Sequence, residues 1–241
     1  DQSYELYCNS VSSFDFDSRD INQSLEMVLR SVDLDSTNKE AWALAGRLHL
    51  IQNQYEQAQS DFLKGGEKYA GYYEVVKNYD YNMDLTEYEN LLKLIRDVNT
   101  LKDVRLRNHI IFKGIHTFKN NTLMKFAVEC VAIVNKIDLI SWSFDPQTQT
   151  LDLSNNERLR IVYPLKTLRF KNLNLAHTNL NSHELHNLRR IPLKYLDASY
   201  TKVLNLGRLA NEELLEFNLE GSPLNDLSNL IGLNVEVLNI A

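Results

Sequence analysis

The residues best placed to do chemistry are His183, Glu184 and His186, in the run His183-Glu184-Leu185-His186. Two imidazoles beside a carboxylate suggest a zinc site. A helical zinc pair, however, needs histidines four apart on one face, and these are three apart. Asp15, Asp17 and Glu26 take the first, third and twelfth places of a calcium loop. Arg19 and Asp20 then stand where a ligand and the turn-forming glycine belong. Gly65-Gly66 lacks the lysine and hydroxyl residue that would complete a phosphate cradle. No G-x-S-x-G, cysteine–histidine pair or phosphotransfer signature occurs. Asn22-Gln23-Ser24 and Asn120-Asn121-Thr122 match glycosylation acceptors, as chance allows in an Asn-rich chain. No metal or other cofactor is expected, and the chain reads as non-catalytic.

Composition narrows the partners. Against 32 acidic residues stand 26 basic ones, for a net charge of -6. Nucleic acid is therefore not the expected partner, since phosphate neutralisation needs a basic face. Cys8 and Cys130 are too few for a disulfide framework, and Cys130 lies in the apolar run 127–134, where a thiol serves as a small hydrophobe. That run contains Glu129 and is far shorter than the roughly 20 residues of a membrane span, so no span is expected. The chain opens on Asp1 with no signal peptide, which is expected of a piece of something longer.

The elements that would position a site emerge from an internal repeat. Leu193-Lys194-Tyr195-Leu196-Asp197-Ala198 aligns with Leu214-Leu215-Glu216-Phe217-Asn218-Leu219 and with Val235-Glu236-Val237-Leu238-Asn239-Ile240, at steps of 21 residues. The register continues behind each strand: Thr201 with Ser222, Val203 with Leu224, Leu206 with Leu227, Leu209 with Leu230. One repeat earlier, Phe170, Leu173, Leu175, Thr178 and Leu180 fall in the same columns, with two extra residues before Leu185 and Leu188. Leu151, Leu153 and Asn156 begin the series. In L-x-x-L-x-L the last two apolar residues alternate at period two and point inward from a short strand. The Asn/Thr/Ser column can hydrogen-bond the loop where the chain leaves that strand. Apolar residues spaced by three then suit a 3₁₀-like or extended return. No unit covers its own interior, so neighbours must stack into a parallel-sheet solenoid.

Closure of that stack is predicted at its N-terminal end. Leu123, Phe126, Ala127, Cys130, Val131 and Val134 give an amphipathic helix over 122–136. A strand over 140–144 and a turn at Asp145-Pro146-Gln147-Thr148 lead into the first repeat strand at 150–153. No closure follows the last repeat. Either the natural chain continues past Ala241, or the open edge pairs with another molecule, self-association included.

The candidate site is a surface. One outward column reads Asp152, Asn174, Asp197, Asn218, Asn239, and its flanking column Thr150, Asn172, Tyr195, Glu216, Val237. Concave solenoid faces are extended binding surfaces, and Tyr195 is a side chain that interfaces favour. A plain alternative is that the polar column only solvates the sheet.

In the first half, Trp42, Ala45, Gly46, His49, Ala58, Phe62 and Gly65 follow the W-x2-L-G-x2-Y…A-x3-F-x2-A spacing of a tetratricopeptide repeat. Leu25, Val28 and Leu29, before Asp33-Leu34-Asp35-Ser36, resemble the second helix of a preceding repeat. Tyr88, Leu91, Leu92, Ile95 and Val98 keep helical spacing, as do Val104, Ile111, Ile115 and Phe118 less cleanly. About six helices are predicted. Tyr69, Tyr72, Tyr73, Tyr79, Tyr81 and Tyr88 form a tyrosine group explained mostly by packing between helices. The inward groove positions Ala43 and Arg47 lack the lysine–asparagine pair that clamps a peptide carboxylate. The expected fold is thus a mixed α and α/β solenoid. TPR-like helices occupy 1–119, a helix and hairpin cap 120–149, and a leucine-rich-repeat parallel sheet 150–241.

This order of parts resembles the C-terminal region of bacterial receptor-type serine/threonine kinases, in which tetratricopeptide and leucine-rich repeats follow a kinase domain. The likeness rests on residues 42–65, on Trp142-Ser143-Phe144-Asp145-Pro146, and on 192–203 with its echo at 214–224. The short repeat is also similar to those of internalin-like surface proteins. The first resemblance implies a sensory or docking arm for a protein or peptide partner. The second implies adhesion or recognition at a surface.

Overall fold

The computed structural model describes residues 2–15, 21–79, 83–206, 209, 213–225 and 234–240. They fall in two compact units, Asp1–Gly114 and Ile115–Ala241, dividing within a helix.

Helices build the first unit: α1 (Gln2–Asp15), α2 (Ile21–Leu34), α3 (Lys39–Ile51), α4 (Tyr55–Gly65), the short α5 (Ala70–Val76), α6 (Tyr88–Thr100) and α7 (Val104–Thr117), whose last residues belong to the second unit. Seven helices precede the cap rather than six among the described residues. Local chemistry sets their limits. Asn38 caps α3 by accepting the Ala41 amide at 3.0 Å, and Asp103 accepts the Leu106 amide at 3.0 Å at the start of α7.

Burial of α3 is nearly complete, and its small residues let α4 come close. A Cβ added at Gly46 would lie 2.9 Å from the Phe62 ring, so only glycine fits there. His49 and Asp61, both buried, pair across the same interface at 2.5 Å. α1 and α2 meet through polar atoms: Ser3 Oγ donates to the Ser31 carbonyl and Ser31 Oγ to the Ser3 carbonyl, at 3.0 and 2.8 Å. In the tyrosine group, Tyr69 and Tyr79 are core residues, whereas Tyr72, Tyr73 and Tyr88 are half-buried. Tyr81 lies outside the described residues, as do Asp17, Arg19 and Asp20 of the calcium-like spacing.

Helical elements give way in the second unit to a parallel-strand solenoid of about four turns. α8 (Asn120–Asn135) buries Phe126, Ala127, Cys130, Val131 and Val134. It turns out at Lys136, whose backbone is left-handed. β1 (Ser143–Asp145) and β2 (Thr150–Asp152) form an antiparallel hairpin. The first strand thus spans 143–145 where the alternation predicts 140–144, and Asp145, expected in the turn, stays paired with Thr150. From β2 the sheet runs parallel through β3 (Asn172–Asn174), β4 (Tyr195–Asp197), β5 (Glu216–Asn218) and β6 (Val237–Asn239), in chain order.

Register is exact across the sheet: Leu151, Leu173, Leu196, Phe217 and Leu238 are consecutive partners. The first four are buried and Leu238, on the last strand, is half-buried. Each fully buried side chain contributes about 1.5–3 kcal/mol, so a charge at Leu196 would break the row. The return paths include 3₁₀ turns at Tyr163–Leu165 and Glu184–Asn187. Leu227 and Leu230 lie outside the described residues.

Polar columns close the loops. Thr178 and Thr201 donate their hydroxyls to the Leu175 and Ala198 carbonyls at 2.8 and 2.7 Å. Ser222 donates to the Ala198 carbonyl of the preceding rung at 2.9 Å. Asn156 does the equivalent work for the hairpin, donating to the Leu153 and Ser141 carbonyls, both at 2.8 Å. Just before this column runs another, Asn155, His177, Tyr200 and Gly221, in which every residue has a φ between 54° and 64°.

Candidate functional site

Period-two alternation places the two polar columns outside the sheet. Most of their members are half-buried, while Glu216, Val237 and Asn239 are exposed. Their hydrogen bonds define what they can do. Asp152, Asn174, Asp197 and Asn218 each turn one oxygen, Oδ1, back to the amide two residues on. The acceptances are from Ser154 at 2.8 Å, Ala176 at 3.0 Å, Ser199 at 2.9 Å and Glu220 at 3.1 Å. This Asx turn is how the chain leaves each strand. The column is therefore first a fold element, and only its second side-chain atoms face outward.

Asp197 is the centre of the face. Its Oδ2 accepts the Tyr195 hydroxyl and Asn218 Nδ2, both at 3.1 Å. Burial first, and then the charge and hydrogen bond of Asp197, push the Tyr195 phenol up to about 12, so it stays a neutral donor at physiological pH. Asn172 donates to the Thr148 carbonyl and Thr150 Oγ1, both at 3.1 Å. The outward face is thus a pre-ordered polar ladder, from which the exposed Glu216 and Val237 protrude. Such a surface offers hydrogen bonds and one aromatic flank.

The left-handed column beside it escapes a reading based on apolar period. The His177 and Tyr200 rings stack at 4.5 Å, nearly parallel. The Tyr200 ring also covers Gly221, where an added Cβ would lie 2.5 Å from it. The Tyr200 hydroxyl donates to Glu220 at 2.7 Å, and this bond and charge raise its pKa. Asn and Gly in one column, just before the Asn/Thr/Ser residues, are the sequence signal of the left-handed conformation.

The other candidates are accounted for by structure. Glu184 accepts the Val162 amide and Asn187 Nδ2, both at 3.0 Å, which ties two turns together. His186 Nδ1 contacts the His183 carbonyl in the same 3₁₀ turn. Among the described residues no cluster of three His, Cys, Asp or Glu could hold a metal. No described helix is long and apolar enough to cross a membrane. In the helical unit, Ala43 is fully buried. Arg47 donates to Asp103 Oδ2 at 2.7 Å and to the Tyr72 hydroxyl at 3.1 Å, beneath which the Tyr72 ring lies 5.0 Å away. Burial would raise the Asp103 carboxyl, but the Leu106 amide, the Arg47 charge and the Tyr72 hydroxyl outweigh it and hold it low. Arg47 is thus engaged by the chain's own Asp103 and Tyr72.

Comparisons of this chain with protein-family models, with curated proteins and with solved structures find no match.

Proposed function

We propose that this chain is a non-catalytic scaffold that binds a protein or peptide on the outward face of its sheet. What supports the reading is the Asp197 hub, where Tyr195 and Asn218 converge on one carboxylate, within a column whose Asx turn recurs from β2 to β5. Rigid, pre-ordered polar surfaces of this kind lose little entropy on binding. The finer identity follows the resemblance. Helical repeats of tetratricopeptide type joined to leucine-rich repeats fit the sensory or docking arm of a bacterial serine/threonine kinase-like signalling protein.

The test uses the whole chain as bait, with Glu216→Lys plus Val237→Asp as the altered face. These exposed side chains carry no turn hydrogen bond, so the melting temperature should stay within about 2 °C. At least one protein recovered by wild type should be lost. Equal recovery of every protein by bait and variant would remove the sheet face from consideration. Steady turnover in a hydrolase or transferase screen would contradict the non-catalytic reading.

A further inference from the structure

Outside the strands, one pocket of about 690 Å³ opens on the second unit. Lys136, Arg158, Arg160 and Lys202 line it with Asn179 and Asn181, and no carboxylate does. That composition is unusual in a chain of net charge -6. Several lysines elsewhere take acidic partners: Lys68 with Glu40, Lys93 with Asp97, Lys125 with Glu129, Lys194 with Glu213. The four pocket cations form no ion pair among the described residues, so their charge is available to a ligand.

Backbone bonds hold the four in place from separate segments. Asn135, on the last turn of α8, accepts the Arg160 and Ile161 amides with Oδ1, both at 2.8 Å, and donates to the Ile161 carbonyl at 2.8 Å. The arginine loop is thereby pinned beside Lys136. Arg158 and Arg160 flank the buried Leu159, so both project away from the core. Asn179 ties the next rung on, its amide donating to the Leu159 carbonyl at 2.8 Å and its side chain to the Glu157 carbonyl at 2.6 Å. Lys202 follows one rung later, its amide on the Leu180 carbonyl at 2.8 Å and its backbone bridged to Asn181. The last-turn carbonyls of α8 beside the pocket have partners within the chain. The Ala132 and Ile133 carbonyls accept the Ile137 and Lys136 amides, and the Val131 carbonyl accepts Asn135 Nδ2.

We propose that this pocket binds an acidic peptide segment of a protein partner, by its aspartate or glutamate carboxylates. The spacing selects that ligand over a lone phosphate. Parallel rungs lie roughly 4.8 Å apart, so the cations extend over about 10 Å. An extended peptide rises about 3.3 Å per residue, so carboxylates three positions apart lie about 10 Å apart and reach both ends of the array, which one phosphate cannot. Two guanidinium forks at one end offer bidentate seats for carboxylates, and the lysines supply point charge. None of the lining residues belongs to the outward columns of the sheet, so this site stands or falls apart from the face discussed above.

The experiment measures fluorescence anisotropy of a labelled hexaglutamate peptide with the whole chain at 50 mM NaCl, with hexaglutamine as the neutral control. Binding should be confined to hexaglutamate, fall at least fivefold at 200 mM NaCl, and weaken at least tenfold in Arg158→Ala plus Arg160→Ala. If that pair lowers the melting temperature, Lys202→Glu, on another rung, reads the same loss. Three results overturn the proposal: a Kd above 1 mM for hexaglutamate, equal affinity in wild type and both variants, or displacement of the peptide by equimolar inorganic phosphate.

Discussion

Replacing Asp197 by alanine removes three hydrogen bonds at once, and their sum can be worked from the geometry. The Ser199 amide at 2.9 Å closes the turn leaving β4, and a side-chain oxygen capping a backbone amide contributes about 1 kcal/mol. The Tyr195 hydroxyl and Asn218 Nδ2 sit at 3.1 Å in a half-buried setting, at the weak end of the net range, about 0.5 kcal/mol each. Asp197→Ala should therefore destabilise the solenoid unit by about 2 kcal/mol. Asp197→Asn keeps the turn acceptor, so it should cost about half as much. Urea denaturation followed by circular dichroism measures both, with the slope unchanged because the same surface is exposed on unfolding. For a unit of this size the alanine variant should melt about 8 °C lower. An Asp197→Ala chain within 0.5 kcal/mol of wild type would refute the hub. So would an asparagine variant as unstable as the alanine one, since the turn bond would then not be the larger part.

Other outcomes follow from individual contacts. Gly46→Val should cost about 3 kcal/mol in urea melts of the helical unit, because its branches must displace the fully buried Phe62 ring; full stability would mean α3 and α4 are further apart. Gly221→Ala combines a φ of +64° with a 2.5 Å approach to Tyr200 and should cost about 2 kcal/mol. In a Tyr200→Ala background that cost should fall to about 1 kcal/mol, and an unchanged cost would separate the ring from the effect. Asp103 titrates below its ordinary value of 3.8, so its stabilisation is complete above that value and is lost as pH falls through the lower folded one. Asp103→Asn should flatten the acid limb of a melting-temperature profile below about pH 4; an unaltered limb would assign it to other carboxylates.

The solenoid was legible because its signal is long-range and apolar. Leu151, Leu173, Leu196, Phe217 and Leu238 recur at a period that only stacking explains, and they are register partners. The Thr178 and Thr201 loop bonds follow from residue type and place alone. The first helix, within residues 3–17, is poorly marked in the sequence for a physical reason. Its buried residues include Ser3 and Ser10, with Ser3 bonded to Ser31 of α2, and serine carries no apolar period. The outward Asp/Asn column was legible as a column but not as a set of turns, since alternation specifies a side and not a hydrogen-bond partner. Sequence order also conceals the cationic pocket: Lys136, Arg158, Arg160 and Lys202 form no basic run, and stacking alone brings them to one opening.

From β2 to β5 each rung leaves its strand through the same Asx bond and a left-handed residue at the same position, which makes the repeat interchangeable at its joints. Excising 175–197 would join Asn174 to Ala198, restoring the order of strand, turn and return with one storey fewer. Growth or loss of this array by duplication or deletion can then proceed in whole storeys of roughly 4.8 Å, adjusting its reach while leaving the hairpin lid and every remaining joint unaltered.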